Sequence, residues 1–130
     1  MRNSIFTLIV GTALCSQQGA LHAHHSFAAE FDYERLGDVE GRVIEVLFVN
    51  PHARYFIAVA DADGNEVIWD AQTRSPNALT RIGWSRDTIK LGDQVTLHGN
   101  LGIGNTRKIW ILEVRFESGQ IVRPTEEPSD

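Results

Sequence analysis

Cysteine is almost missing from this chain of 130 residues: the only one is Cys15. It falls in an N-terminal stretch that reads as a leader. The domain that follows therefore has no disulfide, no thiolate metal site and no cysteine nucleophile. Long apolar runs are also lacking. The run from Ile5 to Leu14 is far shorter than the roughly 20 apolar residues needed to cross a bilayer. Positive charge is scarce, with 12 Lys and Arg against 17 Asp and Glu, a net charge of −5. Nucleic acid and anionic lipid are excluded as expected partners, because nothing offsets phosphate repulsion. The length excludes long coiled coils, repeat arrays and multi-domain enzymes. There is no Ser-His-Asp order and no phosphate-binding glycine loop, and Gly102-Ile103-Gly104 is too little to count as one.

Residues 1–23 have the three-part layout of a secretory signal peptide: basic Arg2, the apolar run, then small and polar residues ending at Ala23. Losing Arg2, the only charge in that stretch, makes the balance −6. The expected product is periplasmic or secreted, with no membrane insertion once the signal is gone. Cleavage after Ala23 leaves His24-His25-Ser26-Phe27 at the front; a cut after Ala20 would leave Leu21-His22-Ala23 ahead of it. Lipid attachment at Cys15 is not expected, because Leu14 stands where such signals carry a small residue.

After the signal, the pattern predicts an extended arm at 24–37, a barrel domain at 38–123 and a disordered tail at 124–130. Gly41 to Val49 reads as a bent strand, ended by Asn50-Pro51. Arg54 to Ala60 is a second strand, with Tyr55, Ile57 and Val59 on one face. A hairpin loop at Asp61–Asn65 leads to a third, from Glu66 to Ala71. Ser75-Pro76 is an N-cap followed by a first-turn proline, opening a helix of about two turns that Gly83 stops. Strands at Gln94–Gly99 and Lys108–Phe116 follow, separated by a glycine-rich loop at 100–106, and a short strand at 120–122 ends the domain. In Lys108–Phe116 the residues Trp110, Leu112, Val114 and Phe116 alternate strictly, which predicts one buried face. Three strands, a short helix and two strands is the element order of a mainly all-β, five-stranded OB-like Greek-key barrel. A β-sandwich is the alternative, but it needs about seven strands.

The histidines carry the chemistry. A processed chain starting at His24 offers an α-amine, with a reference pKa of about 7.7, and the Nδ1 of the same residue to close a chelate ring. A third nitrogen from another imidazole completes a histidine brace, and such tetragonal nitrogen sets select Cu(II). His52 is the expected third ligand, because Asn50-Pro51 holds the turn before it at the rim between the first two strands. His25 is an additional candidate. The bland alternative is a solvated, frayed histidine tail and a loop histidine that only bonds its own turn. His98, out of phase with Val95 and Leu97, is expected to face solvent as a structural residue.

Other groups have milder readings. Glu30, Asp32 and Glu34 could add an oxygen ligand, but a solvated acidic arm is the default. Trp69 and Trp110 are expected in the core, and Trp84, past the helix stop, at the rim. Arg74, Arg81 and Arg86 could hold an anion, with surface carboxylates as the ordinary partners.

The start His24-His25-Ser26-Phe27-Ala28-Ala29-Glu30-Phe31-Asp32, together with Asn50-Pro51-His52-Ala53, resembles a family of small exported bacterial proteins of unknown function. The likeness continues through Ser75-Pro76-Asn77-Ala78-Leu79, Arg81, Gly83-Trp84 and Lys90-Leu91-Gly92-Asp93. The resemblance implies an OB-like barrel and a mature chain that begins at the first histidine of the pair. Its histidines match His24, His25 and His52, whereas His98 has no counterpart and the Leu101–Thr106 loop departs from the family's charged pattern. It implies no reaction. The combined expectation is a periplasmic copper-binding protein for carriage, buffering or delivery, with the metal ion and a periplasmic or membrane-bound protein as partners. A non-metal ligand or protein interaction module is the first alternative, and a copper-dependent oxidative enzyme the second.

Overall fold

The computed structural model describes residues 27–125. A helical turn at 27–30 is followed by six strands, β1 (Phe31–Leu47), β2 (Arg54–Ala60), β3 (Glu66–Gln72), β4 (Gln94–Gly102), β5 (Lys108–Phe116) and β6 (Ile121–Val122), with a short helix, α1 (Pro76–Thr80), between β3 and β4 in the chain. β1 pairs antiparallel with both β2 and β4, β2 with β3, and β4 with β5. A parallel pairing of Asp70–Gln72 with Lys108–Trp110 joins β3 to β5 and closes the ring. That circuit, with the helix between the third and fourth strands, is the OB-like barrel expected from the element order. β6 is a short hairpin extension of β5.

Long β1 belongs to two sheet neighbours at once and must bend. A bulge at Ile44 bends it, because Val43 faces Ile57 while Glu45 already faces Phe56. Gly41 allows the close approach just before it, since a Cβ there would run into the carbonyl oxygen of Ala58. β1 also starts at Phe31, eight residues before the texture change at Val39, and β4 runs on to Gly102 through the predicted loop. The stretch between Phe31 and Leu36 is irregular in register, which hides it from a period-two reading. Its carbonyls are satisfied by a side chain: buried Asn100 donates from Nδ2 to the carbonyls of Asp32 and Tyr33 at 3.4 and 3.2 Å.

Ser75 caps α1 by accepting from the Ala78 amide at 3.2 Å, and Pro76 stands in the first turn. Gly83 turns the chain at φ 85°, and the Trp84 amide donates to the carbonyl of Leu79 at 3.1 Å. This reversal drives Trp84 inward, where it is 1% exposed beside Leu79 and Ile89 in the core cluster. The rim position expected for Trp84 is therefore corrected. A helix this short has too little apolar surface of its own to seal the barrel, and the residue past its stop completes the plug. Tyr55 lies fully buried in the same core, and desolvation pushes its phenol upward, so it stays neutral.

β5 departs from the pattern most visible in the sequence. Ile109, Ile111 and Val114 are buried, whereas Leu112 is 39% exposed. The register against β4 jumps from Glu113 opposite His98 to Ile111 opposite Gly99, which makes Leu112 the bulge residue and reverses the phase. Trp110 consequently points away from Ile109 and Ile111, and the core position expected for it is corrected as well. The tail differs too: Pro124 is buried and its carbonyl accepts from Arg74 Nη1 at 3.1 Å, while residues 126–130 are outside the described part.

On the sheet surface, Glu113 accepts from Arg123 and Arg115, each at 2.6 Å. The Arg123 bond, then the Arg115 bond, holds its carboxyl below the usual range. A carboxylate with a lowered folded-state pKa contributes stability above its unfolded value and loses it as pH falls through the folded one. Glu113→Gln should therefore reduce the steepness of acid destabilisation between about pH 5 and pH 3. Urea midpoints across that window test this; parallel profiles for both proteins would contradict it.

Candidate metal site at the barrel rim

His52 follows the cis Asn50–Pro51 bond in the turn between β1 and β2. The next residue is firmly held. Ala53 is fully buried, its amide donates to the carbonyl of Arg74 at 3.1 Å, and its carbonyl accepts from Thr73 at 3.0 Å. The imidazole thus projects from backbone fixed against the segment after β3. Its Nδ1 is buried and has no hydrogen-bond partner among the described residues. A buried polar atom left unpaired costs about 1–3 kcal/mol, so such an atom points to a missing partner.

The ring stands edge-on to Trp110, with centroids 5.3 Å apart and planes at 83°. The phase reversal in β5 is what makes this contact possible. The same indole receives the start of the described chain: Phe27 lies 5.2 Å and Phe31 5.8 Å from it. Phe27 also stacks against Phe31 at 5.1 Å and Tyr33 at 4.5 Å. The described part of the arm is thus anchored by its aromatic residues. It does so through a helical turn at 27–30 rather than a fully extended run. The Ile103 amide fixes that turn by donating to the carbonyl of Glu30 at 3.0 Å.

Beside His52 lies an open pocket of about 430 Å³, whose lining includes Glu30, Asn50, Arg54, Gln72 and Lys108. Its charges are paired. Arg54 donates to Asp70 through Nε at 3.1 Å and Nη2 at 2.6 Å, and Gln72 Nε2 reaches the same carboxylate at 3.0 Å. The hydrogen bond to Asp70 raises the Arg54 pKa, opposed by desolvation and aided by the charges of Asp70, Glu30 and Glu45. Lys108 Nζ meets Glu30 Oε2 at 2.6 Å.

Of the expected ligands, His52 is here and the structure gives it a fixed setting. His24 and His25 lie outside the described residues, as do the cut after Ala23 and the signal with Cys15. Among the described residues no three His, Cys, Asp or Glu side chains converge as a metal group. His98 is elsewhere, pairing its Nδ1 with Asp38 at 2.6 Å on the sheet surface. Arg54, Asp70, Gln72 and Lys108 escaped the sequence reading. They meet only where β3 and β5 close the barrel, and no local spacing encodes that parallel pairing. Glu30 was legible as a possible oxygen donor, but not its place in the pocket.

A family model described as a family of unknown function, DUF6152, matches residues 13–109, well over half of the chain. The chain belongs to this family. No curated protein matches it. Among solved structures it is similar to the mitochondrial single-stranded DNA-binding protein Rim1 from S. cerevisiae, at 14% identity and a TM-score of 0.48. That alignment covers 64% of this chain and 93% of the other.

Proposed function

We propose that this DUF6152 member is an exported copper-binding protein that holds Cu(II) between His24, as the first residue of the processed chain, and His52. His25 is an additional donor. Its role is carriage, buffering or delivery of copper in the periplasm, to a periplasmic or membrane-bound partner.

The observation that carries this reading is the shared indole of Trp110. Phe27 and His52 pack on the same ring, at 5.2 and 5.3 Å. Residue 24 is three positions before Phe27 in the sequence, a separation of at most about 11 Å in a fully extended chain. A chain that begins at His24 would therefore start a short distance from the Phe27 anchor, and the nearby imidazole has a buried Nδ1 with no partner among the described residues, which supports this reading. An anchored arm reduces the entropy lost when donors from two distant parts of the chain meet one ion.

The test separates a brace from a plain histidine tail. Protein beginning at His24 and protein carrying one extra methionine ahead of it are titrated with Cu(II) in competition with a chelator. The extension displaces the α-amine from the chelate ring, so affinity should fall by at least about 10-fold. Equal affinity would remove the α-amine from the site. The pocket beside His52 favours a second reading, a small-ligand module that takes up no metal, and the absence of any Cu(II) binding in the same titration would support it.

A further inference from the structure

The pocket beside His52 is built on a row of strand ends. Leu47 on β1 pairs with Arg54 on β2, and Arg54 with Gln72 on β3, so the three side chains share one face of the sheet. Lys108, opposite Asp70 in the parallel closure, joins the same lining from β5. At about 430 Å³ the space is of the size that takes a small molecule. Its lining has two kinds of surface. Leu47, Val49 and Pro51 are apolar, and Val49 is 52% exposed. Against them stand two cations, Arg54 and Lys108, and a single carboxylate, Glu30. The lining is therefore positive in a chain whose net charge is −5.

Arg54 is held in place without being used up. Asp70, outside the lining, accepts from Nε at 3.1 Å and from Nη2 at 2.6 Å, and Gln72 steadies that carboxylate at 3.0 Å. The guanidinium carbon lies 5.3 Å from the centre of the Phe56 ring. A guanidinium carries five N–H donors, and the two bonds to Asp70 occupy two of them. The other three, on Nη1 and Nη2, have no acceptor among the described residues. Lys108 spends one of its three ammonium protons on Glu30, and its side chain is 33% exposed.

We propose that this pocket binds a small aliphatic monocarboxylate, with the carboxylate on the open Nη1–Nη2 edge of Arg54, Lys108 as the second cation, and the hydrocarbon part on Leu47, Val49 and Pro51. A guanidinium edge matches the two oxygens of a planar carboxylate, and such charge-assisted pairs are the strong ones. One negative charge is also what the lining of two cations and one carboxylate balances. Because Asp70 and Phe56 fix the guanidinium beforehand, little side-chain freedom is lost when the ligand arrives. The site needs no metal and stands or falls apart from the copper reading.

The experiment titrates metal-free protein beginning at His24 with sodium 3-methylbutanoate, its neutral amide and inorganic phosphate, each alone, followed by nuclear magnetic resonance of the Arg54 Nε–H and the backbone amides of residues 47–54. The carboxylate should give saturable shifts there, with the amide and phosphate each weaker by about 10-fold or more. Arg54→Lys keeps the charge and a donor for Asp70 but removes the forked edge, so it should also weaken binding by about 10-fold. Lys108→Met, at a partly exposed site, should weaken it several-fold, and urea midpoints check that both variants remain folded. The absence of saturable shifts overturns the proposal. So does an amide or phosphate that binds as tightly as the carboxylate, or parental affinity in both variants. No copper is present in any arm, so failure here leaves the copper reading untouched, and failure of the copper titration leaves this site untouched.

Discussion

Replacing His52 by alanine is expected to lower Cu(II) affinity of the processed protein by at least about 100-fold, the upper range for loss of even an outer-shell partner at a metal site. The large effect follows from what His52 supplies. It is the one imidazole among the described residues that is both fixed by its backbone and shares an aromatic platform with the arm. His98 is the natural control, since it is engaged with Asp38 on a different surface. His98→Ala should bind copper as the parent does. The fold should tolerate the His52 change, because the buried Nδ1 makes no hydrogen bond among the described residues that alanine would remove. Chelator competition gives the affinities, and magnetic resonance of the bound Cu(II) gives the number of coordinated nitrogens. Should His52→Ala and His98→Ala bind alike, with parental strength, the barrel rim has no part in metal binding.

The second large effect concerns stability. Trp84→Ala is expected to cost about 3–5 kcal/mol, the range for deleting a large aromatic side chain from a packed core. Trp84 is 1% exposed and sits with Leu79 and Ile89, so its removal opens a cavity at the end of the barrel that α1 alone cannot fill. A single domain of this size has a total stability of about 5–15 kcal/mol, so the variant should approach the limit of folding. Trp84→Phe should cost clearly less. It keeps most of the apolar volume and deletes an indole nitrogen that has no hydrogen-bond partner among the described residues. Urea unfolding with an unchanged m-value would measure both. An alanine variant within about 1 kcal/mol of the parent would mean that the site lies outside the cooperative core.

Much of the architecture was legible because its signals are local. β2 and β5 occupy the predicted residues, and Asp61 and Gly64 turn the hairpin: Asp61 Oδ1 accepts from the amides of Asp63 and Asn65, both at 2.9 Å, and Gly64 adopts φ 81°. Ser75 and Pro76 start α1 where a cap and a first-turn proline should. The errors cluster where a bulge resets the phase. Leu112 does this in β5, so Val114 and Phe116 were assigned correctly but Trp110 and Leu112, on the other side of the bulge, were placed on the buried face. The register irregularity between Phe31 and Leu36 does it in β1, so a strand supported by Asn100 read as an arm. Trp84 failed for another reason. Its burial depends on the path of the chain after Gly83, and nothing in its neighbours' periodicity states that path.

Taken alone, the amino-acid order determined a mainly β chain with one short helix after the third strand, and it singled out the Asn-Pro-His turn as a place for chemistry. These features follow from backbone preferences that act over a few residues: β-branched strands, a capped helix start, a proline that cannot join a ladder. Tertiary structure alone decided what surrounds that turn. The parallel closure of β3 on β5 brings Lys108 and Trp110 to His52, and the reversed phase of β5 turns the indole toward the arm. Contacts between residues dozens of positions apart depend on the summed geometry of every intervening turn and bulge, so no short window of sequence carries them.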